Sequence, residues 1–136
     1  FYAALSLETA WLEAQQGFAF KAPPLTICSY RAELSEILDL TNPDVRDAAQ
    51  VTLAQLSCAW ERLAGDRKAV PTWDLADRLI AADCAGVIVP SFASRATADD
   101  RNLVLWSWSR EAPHRLEVID DEQRLPRDQS SWQNDA

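Results

Sequence analysis

Gly86-Val87-Ile88-Val89-Pro90-Ser91 is an apolar run without polar alternation, closed by a proline and a hydroxyl. A strand that is apolar on both faces predicts a central position with helices or a second layer on each side. It therefore argues for an α/β chain and puts a hydroxyl at a strand's carboxyl end, where such sheets commonly bind ligands. The second decisive stretch is Tyr2-Ala-Ala-Leu-Ser-Leu-Glu-Thr-Ala-Trp-Leu-Glu13, a strand end running into a helix that carries one carboxylate. Ser6 suits the cap, and Leu7, Ala10, Trp11 and Ala14 recur at helical spacing, so they are expected to form one buried stripe. Glu13 lies at the edge of that stripe, and Gly17 suits the stop. The two stretches are expected to face each other as walls of one polar cleft.

Outward from these, Leu25–Tyr30 and Ile37–Leu40 have strand character. Thr41-Asn42-Pro43-Asp44 is a helix start, and Leu53–Ala64 is expected to be helical, with Leu53, Leu56, Trp60 and Leu63 on one face. Thr72 is expected to cap a helix through Ala82 that buries Leu75, Leu79 and Ile80. Residues 94–101 lack periodicity and read as a loop. Leu103–Trp108 and Leu116–Ile119 complete the strands, with Trp106 and Trp108 on one side. The expected architecture is a mixed α/β (α+β) single compact domain over 1–122, with mixed sheets, flanking helices and a polar tail over 123–136.

The 136 residues allow one core and no obvious second. No apolar run is long enough to span a bilayer as a helix. A net charge of −8 argues against direct nucleic-acid contact and is compatible with a basic protein partner. Cys28, Cys58 and Cys84 sit in mainly apolar stretches and read as buried thiols in a reducing compartment, so a cytoplasmic site is expected. One histidine, His114, and no paired cysteines make a metal site improbable. The six tryptophans read mostly as core. The chain has no methionine and opens directly on strand, so a trimmed product lacking an N-terminal portion of the fold is expected.

A carboxylate on a short helix is ordinarily solvated, and a serine after a proline is ordinarily a turn residue. The functional alternative has Glu13 stabilising an electron-poor sugar centre and Ser91 donating to a ligand. A hydrolase triad would need His114 and lacks the glycine-flanked serine elbow, so it is disfavoured. Tyr2 could pack against a flat ring, and Asn102 could cap a loop or contact a ligand. Glycines at 17, 65 and 86 alone exclude a phosphate-binding glycine loop.

These residues resemble the RES domain, a family named for an arginine, a glutamate and a serine. The likeness is carried by Tyr2–Glu13, Leu38-Asp39-Leu40-Thr41, Gly86–Ser91 and Asn102-Leu-Val-Leu. It implies a fold similar to ADP-ribosyltransferase toxins and the role of toxin in a bacterial toxin–antitoxin pair. It further implies NAD as substrate without a metal, and ADP-ribose transfer to a protein target, water or phosphate. Glu13 and Ser91 resemble the catalytic glutamate and serine; Tyr2, Ser91 and Asn102 resemble the cofactor-binding positions. The family arginine belongs to a segment before Tyr2, and Arg31 stands too far along to replace it. The implied partner is an antitoxin, itself DNA-binding, that covers the cleft. The alternative from another class is a non-catalytic module whose cleft binds a partner segment.

Overall fold

The computed structural model describes residues 1–16, 25–58 and 60–126, with the backbone alone at residues 60 and 61. In chain order the elements are β1 (Tyr2–Ala4), α1 (Leu7–Ala14), β2 (Ser29–Glu33), β3 (Ile37–Asp39), α2 (Pro43–Ala48) and α3 (Leu53–Leu56). There follow α4 (Trp60–Gly65), α5 (Pro71–Ala81), β4 (Gly86–Pro90), β5 (Arg101–Leu105) and β6 (Arg115–Ile119). Four strands form one sheet in the order β1-β5-β4-β3, and β2 pairs with β6 in a second. β4 is central, antiparallel to β5 and parallel to β3. The expected mixed α/β architecture, with two sheets and flanking helices, is the one observed.

The sheet separates two apolar clusters because side chains alternate along each strand. Val87 and Val104 face α2 and α5, where Leu40, Val51, Leu75 and Leu79 close a core. Leu103 and Leu105 face the other way and meet Leu116 of β6, with Phe1, Leu34 and Ile37 against them. Each fully buried leucine contributes about 1.5–3 kcal/mol of transfer free energy. Gly86 lies opposite Leu105, and a Cβ there would clash with the Val104 carbonyl oxygen. Only glycine permits strands β4 and β5 to close at that point.

Several helix expectations hold at the caps. Ser6 accepts from the Thr9 amide, and Asn42 accepts from Asp44 ahead of Pro43 in the first turn of α2. The burial of α1 is reversed, however. Leu7 and Trp11 are 56% and 46% exposed, Ala10 and Ala14 are exposed too, and the buried residue is Thr9 at 1%. Thr9, Leu12, Glu13 and Gln16 have the same i, i+3, i+4, i+7 spacing, about 200° around the helix. That mostly polar face turns inward because the sheet end offers its groups hydrogen bonds, described below.

The long helix expected over 53–64 is two short ones. The Thr72 hydroxyl donates to the Gln55 carbonyl at 2.7 Å, a group that a continuing helix would satisfy internally. Leu53 is exposed, so the expected stripe fails at its first member. Thr72 is therefore a cross-link and not a cap: α5 begins at Pro71, and its cap position, Val70, has no side-chain bond. Leu75 and Leu79 are buried as expected, whereas Ile80 is exposed, being on the far side of α5.

β2 begins at Ser29, with Leu25 to Cys28 outside any element, and β5 ends at Leu105. Trp106 and Trp108 thus lie past the strand. Trp106 packs on the first core, while Trp108 is exposed beside the Phe1 ring, centroids 6.0 Å apart. Trp11 and Trp73 are also exposed, so tryptophan is not mainly a core residue among those described. Nor are the thiols buried: Cys28 is exposed, and Cys58 and Cys84 are half-buried, all three unpaired. The expected stop at Gly17 and the tail beyond 126 lie outside the described residues.

Candidate functional site

Glu13 is the centre of the polar cluster, and α1 brings it there. Two residues anchor that helix to the end of the sheet. The Thr9 hydroxyl donates to Asp100 at 2.7 Å and takes a hydrogen bond from Ser6 at 2.9 Å. Asp100 in turn accepts from the Thr97 amide at 2.7 Å. These bonds, the Thr97 amide first and Thr9 next, hold the Asp100 carboxyl below the usual carboxylate range. Its carbonyl accepts the Ser91 amide at 2.8 Å, so one residue fixes both the helix and the turn after β4.

Glu13 lies one turn beyond Thr9 on the same face. Its Oε1 accepts from the Ser91 hydroxyl at 2.5 Å and from Asn102 Nδ2 at 2.6 Å. Its Oε2 accepts from Gln16 Nε2 at 2.6 Å. Ser91 and Asn102 are neighbours because β4 and β5 pair there, with Val89 opposite Asn102. Ser91 is 8% exposed and Asn102 1%. The Ser91 oxygen also accepts the Ala93 amide at 3.2 Å, which orients its only proton toward the acid. Because a carboxylate can only accept, the Asn102 amide must turn its nitrogen to Glu13. Among the described residues its Oδ1 is left buried with no partner. A buried orphan acceptor is costly, so this orientation is held at the expense of stability.

The acid opens on a cleft of about 940 Å³ along the α5 side of the sheet. Tyr2, Glu13 and Gln16 form one part of its lining, and Ser57, Cys58, Arg62 and Thr72 contribute other polar groups. The remainder is largely apolar, including Val87, Val104 and Trp106. Tyr2 is half-exposed, and partial desolvation of its phenol, then the negative charge of Glu13, raises its pKa, so Tyr2 stays a neutral phenol. The cleft is of the size and polarity that small-molecule and cofactor sites have. Among the described residues no group of three or more His, Cys, Asp or Glu could hold a metal ion.

The structure thus brings together all four residues singled out from sequence. Glu13, Ser91 and Asn102 are bonded to one another, and Tyr2 is beside them. The arrangement differs from two walls across a hollow, because Ser91 touches Glu13 directly. Ser91 and Asn102 direct their donors to the acid and do not line the cleft, although direct ligand contacts were expected of them. Gln16, Thr9, Asp100 and Arg62 were missed. For Thr9, Glu13 and Gln16 a signal existed, the polar stripe at helical spacing behind the apolar one.

The RES domain family model matches residues 1–128. The chain belongs to the RES domain family. RES domains are found in the toxins of toxin–antitoxin pairs. Nothing matches this RES domain among curated proteins or among solved structures. The polar cluster and all the described lining residues of the cleft lie inside the matched span. No described helix of the RES domain is long and apolar enough to cross a membrane.

Proposed function

We propose that this RES domain consumes NAD, breaking the bond between nicotinamide and ribose, as the toxin of a toxin–antitoxin pair. The observation that supports the reading is the doubly held Glu13 carboxylate. Ser91 and Asn102 pin one of its oxygens, and the side chain borders a cleft large enough for a nucleotide. Three of its roughly four acceptor positions are filled, which fixes the orientation of the charge.

In NAD the nicotinamide nitrogen is cationic and a good leaving group. As the bond breaks, the electron pair departs with neutral nicotinamide and the ribose carbon acquires oxocarbenium character. A fixed carboxylate lowers the energy of that centre without reorganising during the reaction. A water, a phosphate or a side chain of a target protein then adds to the ribose carbon and loses its proton. Tyr2, a neutral phenol beside the acid, is placed to contact the nicotinamide or ribose. Ser91 and Asn102 act as positioning groups for Glu13. The partner in this reading is an antitoxin that shields the cleft and itself contacts DNA, with toxin and antitoxin meeting in the cytoplasm of a bacterium.

The test is NAD loss, followed for the wild type beside Glu13→Ala and Ser91→Ala. Removing a preorganised electrostatic group costs about 100-fold or more in rate, so Glu13→Ala should fall at least that far. Ser91→Ala should fall less, because Asn102 still holds the acid. Equal, slow NAD consumption in all three proteins rejects the proposal. A non-catalytic interaction module is the second reading, favoured by the exposed Leu7, Trp11 and Trp108. It predicts no heat on titration with NAD.

A further inference from the structure

We infer that Arg62 is the phosphate-binding pole of the cleft, gripping the pyrophosphate of a dinucleotide whose reacting ribose lies at Glu13. The inference rests on the NAD reading above and adds a binding residue to it. Arg62 is exposed in the last turn of α4 and lines the cleft. Among the described lining residues it is the only cation, and Glu13 is the only anion.

Among the described residues its guanidinium also has no partner. The ion pairs among the described residues use Lys68, Arg115 and Arg124. Arg46 and Arg78 direct their guanidinium groups at backbone carbonyls, Arg46 at Leu40 and Thr41 and Arg78 at Ala49 and Gln50. Among the described residues Arg62 has no such partner. In a chain of net charge −8, a dianionic pyrophosphate is repelled by most of the surface. An unpaired arginine on a cleft wall gives it one local attraction, through a planar fork that matches phosphate oxygens.

The two charges also set a direction. An electron-poor ribose bearing cationic nicotinamide is favoured at the Glu13 end, and the phosphates at the Arg62 end. Apolar lining such as Leu56 and Trp106 suits the flat rings of the ligand. The ligand class is therefore a dinucleotide with a charged pyrophosphate and not a nucleoside.

Calorimetric titration with two ligands tests this: NAD, and nicotinamide riboside, which retains the scissile bond and has no phosphate. Arg62→Ala should weaken NAD binding about tenfold or more, the scale of one charged hydrogen bond, and leave nicotinamide riboside unaffected. Arg62→Lys should recover part of the loss, and added salt should weaken NAD binding more in the wild type than in Arg62→Ala. Arg62→Gln repeats the measurement should the alanine variant fail to fold. If the wild type binds NAD and the neutral variants bind it equally well, or lose both ligands alike, the Arg62 assignment is wrong while the NAD reading stands. If the wild type binds neither ligand, both fall together.

Discussion

Helix α5 turns Leu75 and Leu79 onto the sheet, whereas α1 turns Thr9 and Glu13 inward and leaves Leu7 and Trp11 in solvent. Both helices have apolar residues at helical spacing. They differ in what awaits them. α5 lies over Val87 and Leu40, which offer only apolar surface. α1 meets the end of the sheet, where Asp100, Ser91 and Asn102 present a carboxylate, a hydroxyl and an amide. Had its apolar face turned inward there, the buried Ser91 and Asn102 would lose the acceptor they share, at about 1–3 kcal/mol each, and Asp100 would keep only its Thr97 donors. The lesson is that periodicity predicts which faces exist, and the docking surface decides which one is used.

The contrast can be broken hardest at α5. Leu79→Ala removes a buried side chain from the core and should cost about 2–5 kcal/mol in denaturant unfolding. Thr9→Val, nearly isosteric, should cost about 1–2 kcal/mol, since it removes a buried hydroxyl that bonds to both Asp100 and Ser6. On the proposed NAD reading it should also slow turnover, because α1 loses the anchor that sets Glu13. The same variant sharpens the comparison through pH. The Asp100 carboxyl is held low by Thr97 and Thr9, so its contribution is present above the ordinary aspartate range and is lost as pH falls through the lowered folded value. Wild type and Thr9→Val should therefore converge in stability in acid, and a gap that widens there would contradict the anchor. The smallest effect belongs to the outward face. Trp11→Ser should change stability by no more than about 0.5 kcal/mol, as exposed substitutions do. A loss as large as that of Leu79→Ala would mean that α1 packs by its apolar side after all.

Much of the frame was legible because it depends on local chemistry. The double-sided apolar run at Gly86–Pro90 predicted a central strand, and Asn42-Pro43 predicted the start of α2. Tyr2, Glu13, Ser91 and Asn102 were legible as types and order, by resemblance to the RES domain. What could not be read was long-range pairing. Nothing in the sequence around Gln55 shows that its carbonyl will accept from Thr72 and that α3 will end at the next residue. Likewise, the Ser91–Glu13 bond spans 78 positions, and no local rule distinguishes a serine that holds an acid from one that contacts ligand. Arg62 was illegible for the same reason: its exposure is ordinary, and only the folded wall places it in the cleft.

The missing side chain at Gly86 reaches further than its own strand. Because β4 and β5 touch there with no space for a methyl group, their spacing is set by contact along the backbone, and the same pair of strands carries Ser91 just past one end and Asn102 near the other's start. The grip on Glu13 is in this sense gauged from a point several residues away that has no polar atom beyond its peptide. A wedge at that point would loosen the acid's hold without altering any group that touches it, so substitutions that disturb Glu13 need not map to the cleft at all.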